Sequence, residues 1–339
     1  MKNTSTKQTG LTLVELMVAL AIGSFLMIGA IQIYTQSRQA FVVNESIARV
    51  QETAQFAMDT IEADLRMASN WGRNSRGLAV EGRSIAGNDN PTGLPLPVTN
   101  CANDWVLNLA LPIDGSNNAY TLACAATGGA QASSDVLTVR RASVAHVDPV
   151  AGRLQIQSSR IQGQIFSDGA VPVSFNAASA ASAADDPRDP AFDSETHNLI
   201  VTSYYVSPTS ALINGVPTLR RQRLVGGVAG PAIVDEEVAP GIENLQIQLG
   251  VDVDGDNTVD RYVNPGDPIY DPNALGAGYV PGARIMTARI WMIVRGIDIE
   301  PGVQDGRDYR PGDVVLGVPG DNFRRMQVSK TILLRNART

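Results

Sequence analysis

The chain opens with an unbroken apolar stretch and then changes to a periodic pattern of apolar and polar residues. Leu11 to Ile33 is almost entirely apolar. At about 1.5 Å of rise per residue, a helix of that length crosses about 30 Å of hydrocarbon. The residues that follow lack the small-residue cleavage pattern that is typical of a secretory signal. We therefore expect a membrane-spanning helix that the mature protein retains.

Beyond Gln36 the apolar residues recur at steps of three or four, or at sums of these steps, which predicts one stripe of an amphipathic helix. The stripe consists of Phe41, Ile47, Val50, Ala54, Met58, Ile61, Leu65 and Ala68. Glu45–Arg49 and Glu62–Arg66 are spaced as i,i+4 ion pairs on the wetter side. We expect one helix from about Leu11 to Ser69, whose second half packs on a globular domain.

The remainder of the chain contains short runs rich in β-branched residues, separated by long connections rich in Gly, Pro and Asp. The runs are DVLTVRR, GRLQIQSS, NLIVTSYYVS, TLRRQRLV, ENLQIQLGVDV, RIMTARIWMIVRG and MQVSKTILLR. The segments 87–100 and 176–195 are expected to be loops, the second of low complexity. This order of elements predicts an α+β fold in which a long N-terminal helix lies against an antiparallel, β-rich head with long loops.

One acid, Glu15, interrupts the apolar stretch close to its start. A charged side chain within a membrane helix costs about 2.5–3.5 kcal/mol on insertion scales and is usually retained for a partner. Lys2 and Lys7 precede the stretch without any acid, so the N-terminus is expected to stay cytoplasmic and the rest to be exported. If the chain were cut after Gly10, Leu11 would carry a new amino group, and Glu15 of a neighbouring copy could pair with it.

The segment GLTLVEL, Gly10 to Leu16, resembles the leader of type IV prepilins and type II secretion pseudopilins. The resemblance implies that a prepilin peptidase cuts after Gly10, that Leu11 becomes the methylated first residue, and that Glu15 guides assembly. Leu11 departs from the Phe that is commoner there. The implied organisation is a leader at 1–10, a transmembrane or filament-core helix at 11–33, an amphipathic half at 34–70 and a head at 71–339.

Two further stretches are similar to those of PilW-type minor pilins. One is the helical RVQETAQFAMDTIEADLR, and the other is the acidic element from Gly250 to Asp256. The resemblance implies a non-enzymatic subunit that primes or caps a type IV pilus. Its implied partners are other minor pilins, the major pilin, a tip adhesin, the inner-membrane assembly platform and the prepilin peptidase. The chain would begin as a single-pass inner-membrane protein with a periplasmic head and end in the pilus, at its tip.

Two alternatives remain open at this stage. A J-type pseudopilin of type II secretion shares the leader and the architecture but tends to have a smaller head. A module that adheres to a surface from the filament tip is the other alternative. Deleting the protein and comparing pili or twitching with exoprotein secretion would separate the pilus subunit from the pseudopilin.

Composition argues against several other functions. The net charge is −7, aromatic residues make up 5% of the chain, and no Lys/Arg cluster is present, so nothing indicates nucleic-acid binding. No nucleophile elbow, P-loop or zinc-protease motif occurs, and His146 and His197 are expected to be surface or loop residues. We predict that the chain is not an enzyme.

Cys101 and Cys124 form one even pair, which fits a single disulfide if the head is exported. Two buried free thiols are the alternative.

The stretch DVDGDNTVD has the spacing of an oxygen-rich calcium loop. The candidate ligands are Asp252, Asp254, Asp256, Thr258 through its carbonyl, and Asp260. Asn257 stands where such a loop has Gly, and Val263 stands where it has a bidentate acid. The alternative is a polar hairpin turn, for which Asp-Gly and Asp-Asn are favourable. Calcium is the only cofactor that the sequence suggests.

Overall fold

The computed structural model describes residues 10, 12–82, 101, 104–172, 194–274, 278–300 and 302–336. The predicted loop at 87–100 and nearly all of the low-complexity segment at 176–195 lie outside these residues. The chain divides into two compact units, Met1–Arg49 and Val50–Thr339.

Helix α1 spans Leu13–Met67, close to the predicted bounds. From Leu13 to Ile33 its large apolar side chains are exposed: Leu13 is 77% exposed, Phe25 78% and Ile33 70%. This is the one helix among the described residues that is long and apolar enough to cross a membrane. Apolar side chains that no protein atom covers are compatible with a lipid or filament environment.

In the second unit, α1 presents a buried stripe that begins at Val50. Ala57, Ile61 and Leu65 are completely buried, and Val50, Ala54 and Met58 are nearly so. The predicted stripe therefore holds from Val50 onward, but Phe41 is 70% exposed and does not extend it. The predicted pair Glu62–Arg66 forms, yet Glu62 is buried because it also pairs with Lys330, which a sequence pattern within the helix cannot show.

The first sheet contains eight strands within the described residues. They are β1 (Val80–Glu81), β2 (Ile113–Ser116), β3 (Val136–Ala142), β4 (Ala151–Ser158), β5 (Gly163–Asp168), β6 (Glu195–Ser207), β7 (Thr218–Val225) and β8 (Ala232–Pro240). Strand β6 is central: β3 pairs with one of its edges, while β4 and then β7 pair with the other. All of its pairings are antiparallel, whereas β1 pairs with β5 in parallel.

The second sheet has four strands in the described part of the chain, in the order β10-β9-β11-β12 and antiparallel throughout. They are β9 (Ile242–Asp252), β10 (Arg261–Val263), β11 (Arg284–Arg295) and β12 (Arg325–Leu333). A short helix, α2 (Asp104–Leu107), precedes β2.

Two apolar clusters hold the head together. The larger joins the α1 stripe from Val50 to Leu65 with side chains of both sheets, including Leu137, Tyr204, Leu245 and Ile290. The smaller contains Trp71, Leu107, Ile156 and Val201. Because successive strand residues face opposite sides, one sheet can contribute to both clusters.

The α+β, pilin-like fold with a long N-terminal apolar helix is confirmed. All seven predicted runs form strands, and β6 begins earlier than expected, at Glu195. That extension places His197 inside a strand with its side chain buried, so the expectation of a surface or loop histidine was wrong for this residue. Its Nδ1 lies 2.8 Å from the carbonyl oxygen of Ser143.

Candidate functional site

The acid near the start of the apolar stretch closes the first turn of α1. The Thr12 hydroxyl accepts a hydrogen bond from the Glu15 amide at 3.3 Å, and Glu15 Oε2 accepts from the Thr12 amide at 2.9 Å. The Thr12 hydroxyl also donates to the same Oε2 at 2.8 Å. This reciprocal pair is a capping box, which satisfies amide groups that a helix start leaves without partners.

The cap uses only one oxygen of the Glu15 carboxylate. Among the described residues, none donates a hydrogen bond to Oε1, so that oxygen remains available to a cation outside the chain. Gly10 is exposed, which the predicted cleavage after this residue requires. Leu11, the predicted first residue of the mature chain, lies outside the described residues. The geometry therefore allows Glu15 to cap its own helix and accept an external partner at the same time.

The acidic segment forms the turn of a hairpin between β9 and β10, as the alternative interpretation predicted. Within that turn, Asp252, Asp254 and Asp260 each place one carboxylate oxygen within 4.8 Å of the others. Calcium binds oxygen ligands at about 2.3–2.6 Å, so three oxygens at this spacing can contact one ion. Asp252 is completely buried, whereas Asp254 and Asp260 are exposed.

Asp256, another predicted carboxylate ligand, is not part of this group. Asp256 Oδ1 instead accepts hydrogen bonds from the amide and the hydroxyl of Thr258, at 2.7 and 2.6 Å. Asn257 has φ +68°, the left-handed conformation that Asn tolerates and that the loop spacing requires at that position. Asn257 therefore has the conformation that a calcium loop needs at this position, and three of the four predicted carboxylate ligands lie together.

Asp252 already has protein partners. Its two oxygens accept from the amides of Gly255 and Asn257, at 2.7 and 3.0 Å, and Arg284 Nη2 lies 3.5 Å from Oδ2. The three carboxylates, with water as further ligands, fit a calcium site. The site would be weak, because the positive charge of Arg284 offsets part of the negative charge that attracts the ion.

Cys101 and Cys124 are joined by a disulfide, with Cα atoms 5.1 Å apart. Nearby, the Tyr120 hydroxyl donates to the Cys124 carbonyl and accepts from Gln222 Nε2 of β7. The bridge closes a loop within the segment before β3, and Tyr120 attaches that segment to β7 of the first sheet.

Comparison with known families agrees with the geometry at both ends of the chain. The prokaryotic N-terminal methylation motif matches residues 5–31, which include Gly10 and the capping box. The type IV pilus-assembly protein W family matches residues 203–336, from the second half of β6 to the end of β12. The two matches support a PilW-type minor pilin. No curated protein and no solved structure matches the chain.

The match to the methylation motif includes most of the apolar stretch, an arrangement typical of a membrane-anchored pilin. Pilin-family domains are structural subunits rather than enzymes. The second match includes the whole acidic hairpin and the second sheet.

Sequence reasoning missed two residues at these sites. Thr12 could have been found, because Thr followed three residues later by Glu is the capping-box spacing. Arg284 could not, because it reaches Asp252 only through the pairing of β9 with β11.

Proposed function

We propose that this minor pilin takes part in type IV pilus assembly by priming or capping the filament together with other minor pilins. The observation that carries the proposal is the N-terminal motif: an exposed Gly10 followed by a capped apolar helix whose Glu15 keeps one carboxylate oxygen free. The match of the head to the pilus-assembly protein W family supports the same role.

The proposed mechanism is non-covalent. Cleavage after Gly10 by a prepilin peptidase gives Leu11 an α-amino group, which is then methylated. The free Oε1 of Glu15 in one subunit pairs with that amine in a neighbour, where a dry environment strengthens the attraction between the charges. The apolar residues from Leu13 to Ile33 then exchange lipid contacts for contacts with neighbouring helices.

In this mechanism the subunit occupies the inner membrane first and the pilus afterwards. Before assembly the chain crosses the inner membrane once, with the head in the periplasm, as the lysines before the helix favour. After assembly the head lies at the pilus tip, where a tip adhesin and the major pilin are its neighbours. Extraction of the subunit requires the assembly platform in the membrane.

The first test is the mature N-terminus by mass spectrometry of the membrane-inserted protein. We expect a chain that begins at methylated Leu11. An N-terminus at any other position, or an uncleaved chain, would remove the basis of the mechanism.

The second test separates charge from capping. Glu15→Gln keeps an oxygen that can accept from the Thr12 amide but removes the charge, so we expect cleavage to persist while pilus number falls sharply. Glu45→Gln removes another exposed acid of α1 and is the matched control, because Glu45 pairs only at the surface with Arg49. Equal pilus numbers in both variants would contradict a role for the Glu15 charge.

A type II pseudopilin is the main alternative, and the family match to residues 203–336 favours the pilus. A deletion strain distinguishes the two: loss of pili and twitching supports the proposal, whereas loss of exoprotein secretion with normal pili supports the pseudopilin. Loss of attachment with normal pili would instead indicate an adhesion module.

We also propose that the acidic hairpin binds calcium weakly through Asp252, Asp254 and Asp260. The supporting observation is that these three carboxylates converge although only Asp252 is buried. Such a site would reinforce the β9–β10 turn within the matched head.

Calcium titration of the full chain in detergent, followed by calorimetry and melting temperature, tests this proposal at millimolar concentrations. Asp254→Asn and Asp260→Asn should weaken binding, while Asp256→Asn is the matched control because Asp256 lies outside the group. No heat and no melting shift in the wild type would contradict the site. Equal losses in all three variants would indicate only general attraction to an acidic loop.

A further inference from the structure

Part of one edge of the central strand β6 is not paired with any described strand. On that edge β4 pairs with Glu195–Asn198 and β7 pairs with Thr202–Ser207, while β3 pairs with the opposite edge. Between Asn198 and Thr202, no described strand pairs with the edge shared by β4 and β7. The two strands therefore fork at this point.

A cavity of about 260 Å³ lies at this fork. It is called the fork cavity here, and the lining residues that matter are Asp64, Arg141, Arg153, Thr202, Arg221 and Arg223. Ligand sites for drug-sized molecules usually measure about 300–1,000 Å³, so this volume suits a smaller molecule.

The fork cavity carries a positive charge in an acidic protein. Arg141 is neutralised by Asp64, with Nη2 and Oδ1 2.8 Å apart. Arg221 and Arg223 share a single carboxylate, Glu236, at 2.9 and 2.6 Å.

Arg153 has no ion pair with any described residue. Counting these groups, four arginines face two carboxylates, which leaves an excess of two positive charges, whereas the whole chain has a net charge of −7.

Two polar groups at the fork cavity lack partners. Arg223 Nε is buried and makes no hydrogen bond. Thr202 is 2% exposed, and its hydroxyl makes no hydrogen bond with a described residue. A buried donor without an acceptor, such as Arg223 Nε, is costly and usually marks a ligand or an ordered water.

We propose that the fork cavity binds a small oxyanion, a molecule that carries a carboxylate or a phosphate group. Guanidinium groups recognise such groups through paired, charge-assisted hydrogen bonds. Arg153 supplies the unpaired charge, and Arg223 and Thr202 supply donors that lack acceptors. This site is independent of pilus assembly and of the acidic hairpin.

The test is titration of the full chain in detergent with inorganic phosphate and, separately, with acetate, at constant ionic strength set with sodium chloride. We expect saturable calorimetric heat and a rise in melting temperature for at least one anion. Phosphate and acetate distinguish a tetrahedral from a planar group. Binding of neither anion would overturn the proposal.

Variants locate the site. Arg153→Gln should weaken binding by about tenfold, because a charged hydrogen bond is lost. Thr202→Val, which keeps the side chain's shape, should weaken it less. Glu236→Gln should strengthen binding, because it releases Arg221 and Arg223. Arg310→Gln is the control, since Arg310 is 68% exposed and pairs with Asp308 outside the cavity. If Arg310→Gln weakens binding as much as Arg153→Gln, or Glu236→Gln does not strengthen it, the proposal is wrong.

Discussion

The two parts of α1 use apolar side chains for different purposes. From Leu13 to Ile33 they occur on every side of the helix and are exposed, whereas from Val50 to Leu65 they form a single buried stripe. An all-round apolar surface needs an apolar surrounding, while a stripe needs only one packing partner. The first part therefore needs lipid or neighbouring protein to cover its apolar side chains. The second part is already covered, because its stripe packs in the larger apolar cluster of the head.

The largest expected effect is a difference in stability between substitutions in the buried and the exposed parts of α1. Ile61→Ala should lower the free energy of unfolding of the head by about 2–5 kcal/mol, because Ile61 is completely buried and a cavity would remain. Ile31→Ala, at a position 56% exposed, is the matched control and should change the head's stability very little. Urea denaturation of the full chain in detergent measures both, and similar losses would contradict the comparison.

Ion pairs give the second contrast. Asp64 accepts from Arg141 Nη2 at 2.8 Å and from the Tyr204 hydroxyl at 2.7 Å inside the head, whereas Glu45–Arg49 is exposed. Arg141→Met should cost about 3 kcal/mol, because it leaves a buried carboxylate without its cation.

Arg49→Met should cost about 0.3 kcal/mol, as expected for an exposed helical pair. The same denaturation experiment measures both variants. A loss below 1 kcal/mol for Arg141→Met would mean that Tyr204 alone satisfies Asp64.

Sequence patterns predicted the elements that alternate or repeat clearly, including α1 and β7. They missed β8, since its centre is Asp235, Glu236 and Glu237, and acids are rare in strands. These acids are tolerated because β7 is the one described strand that pairs with β8, and it places Arg221 opposite Glu236 and Arg220 opposite Glu237. Arg220 also reaches Asp235, which lies opposite Gln222.

The candidate sites also differ in whether local sequence is enough to predict them. The motif around Gly10 and Glu15 is local, so it can be recognised from the sequence, and the methylation-motif family matches the same residues. The disulfide was predicted from a single pair of cysteines on the condition of export, with two free thiols as the alternative, and the bond is present. The fork cavity depends on where β4 and β7 separate along β6, and Arg284 reaches Asp252 across two strands, so neither follows from spacing along the chain.

The start of α1 gives a smaller effect. Thr12→Ala removes the cap and should cost about 1 kcal/mol locally. The amide of Glu15 should therefore exchange its hydrogen about fivefold faster, because it loses the Thr12 hydroxyl as acceptor. Thr12→Ser keeps the hydroxyl and should exchange like the wild type. Equal exchange in both variants would show that the capping box does not hold the first turn.

The smallest effect is a dependence on pH in the packed part of α1. The hydrogen bond from Lys330 holds the pKa of Glu62 below its usual value, and Arg66 adds to the effect. A carboxyl group whose pKa is lowered by folding stabilises the native state above its unfolded pKa and loses that contribution as the pH falls. The stability of the wild type should therefore decrease relative to Glu62→Gln as the pH falls below about 4.5. The loss should be small, because Lys330 is 41% exposed and water screens the pair. Glu45→Gln provides the control for an exposed acid of the same helix, and a difference between wild type and Glu62→Gln that stays constant from pH 7 to pH 3 would show that Lys330 does not stabilise the Glu62 carboxylate.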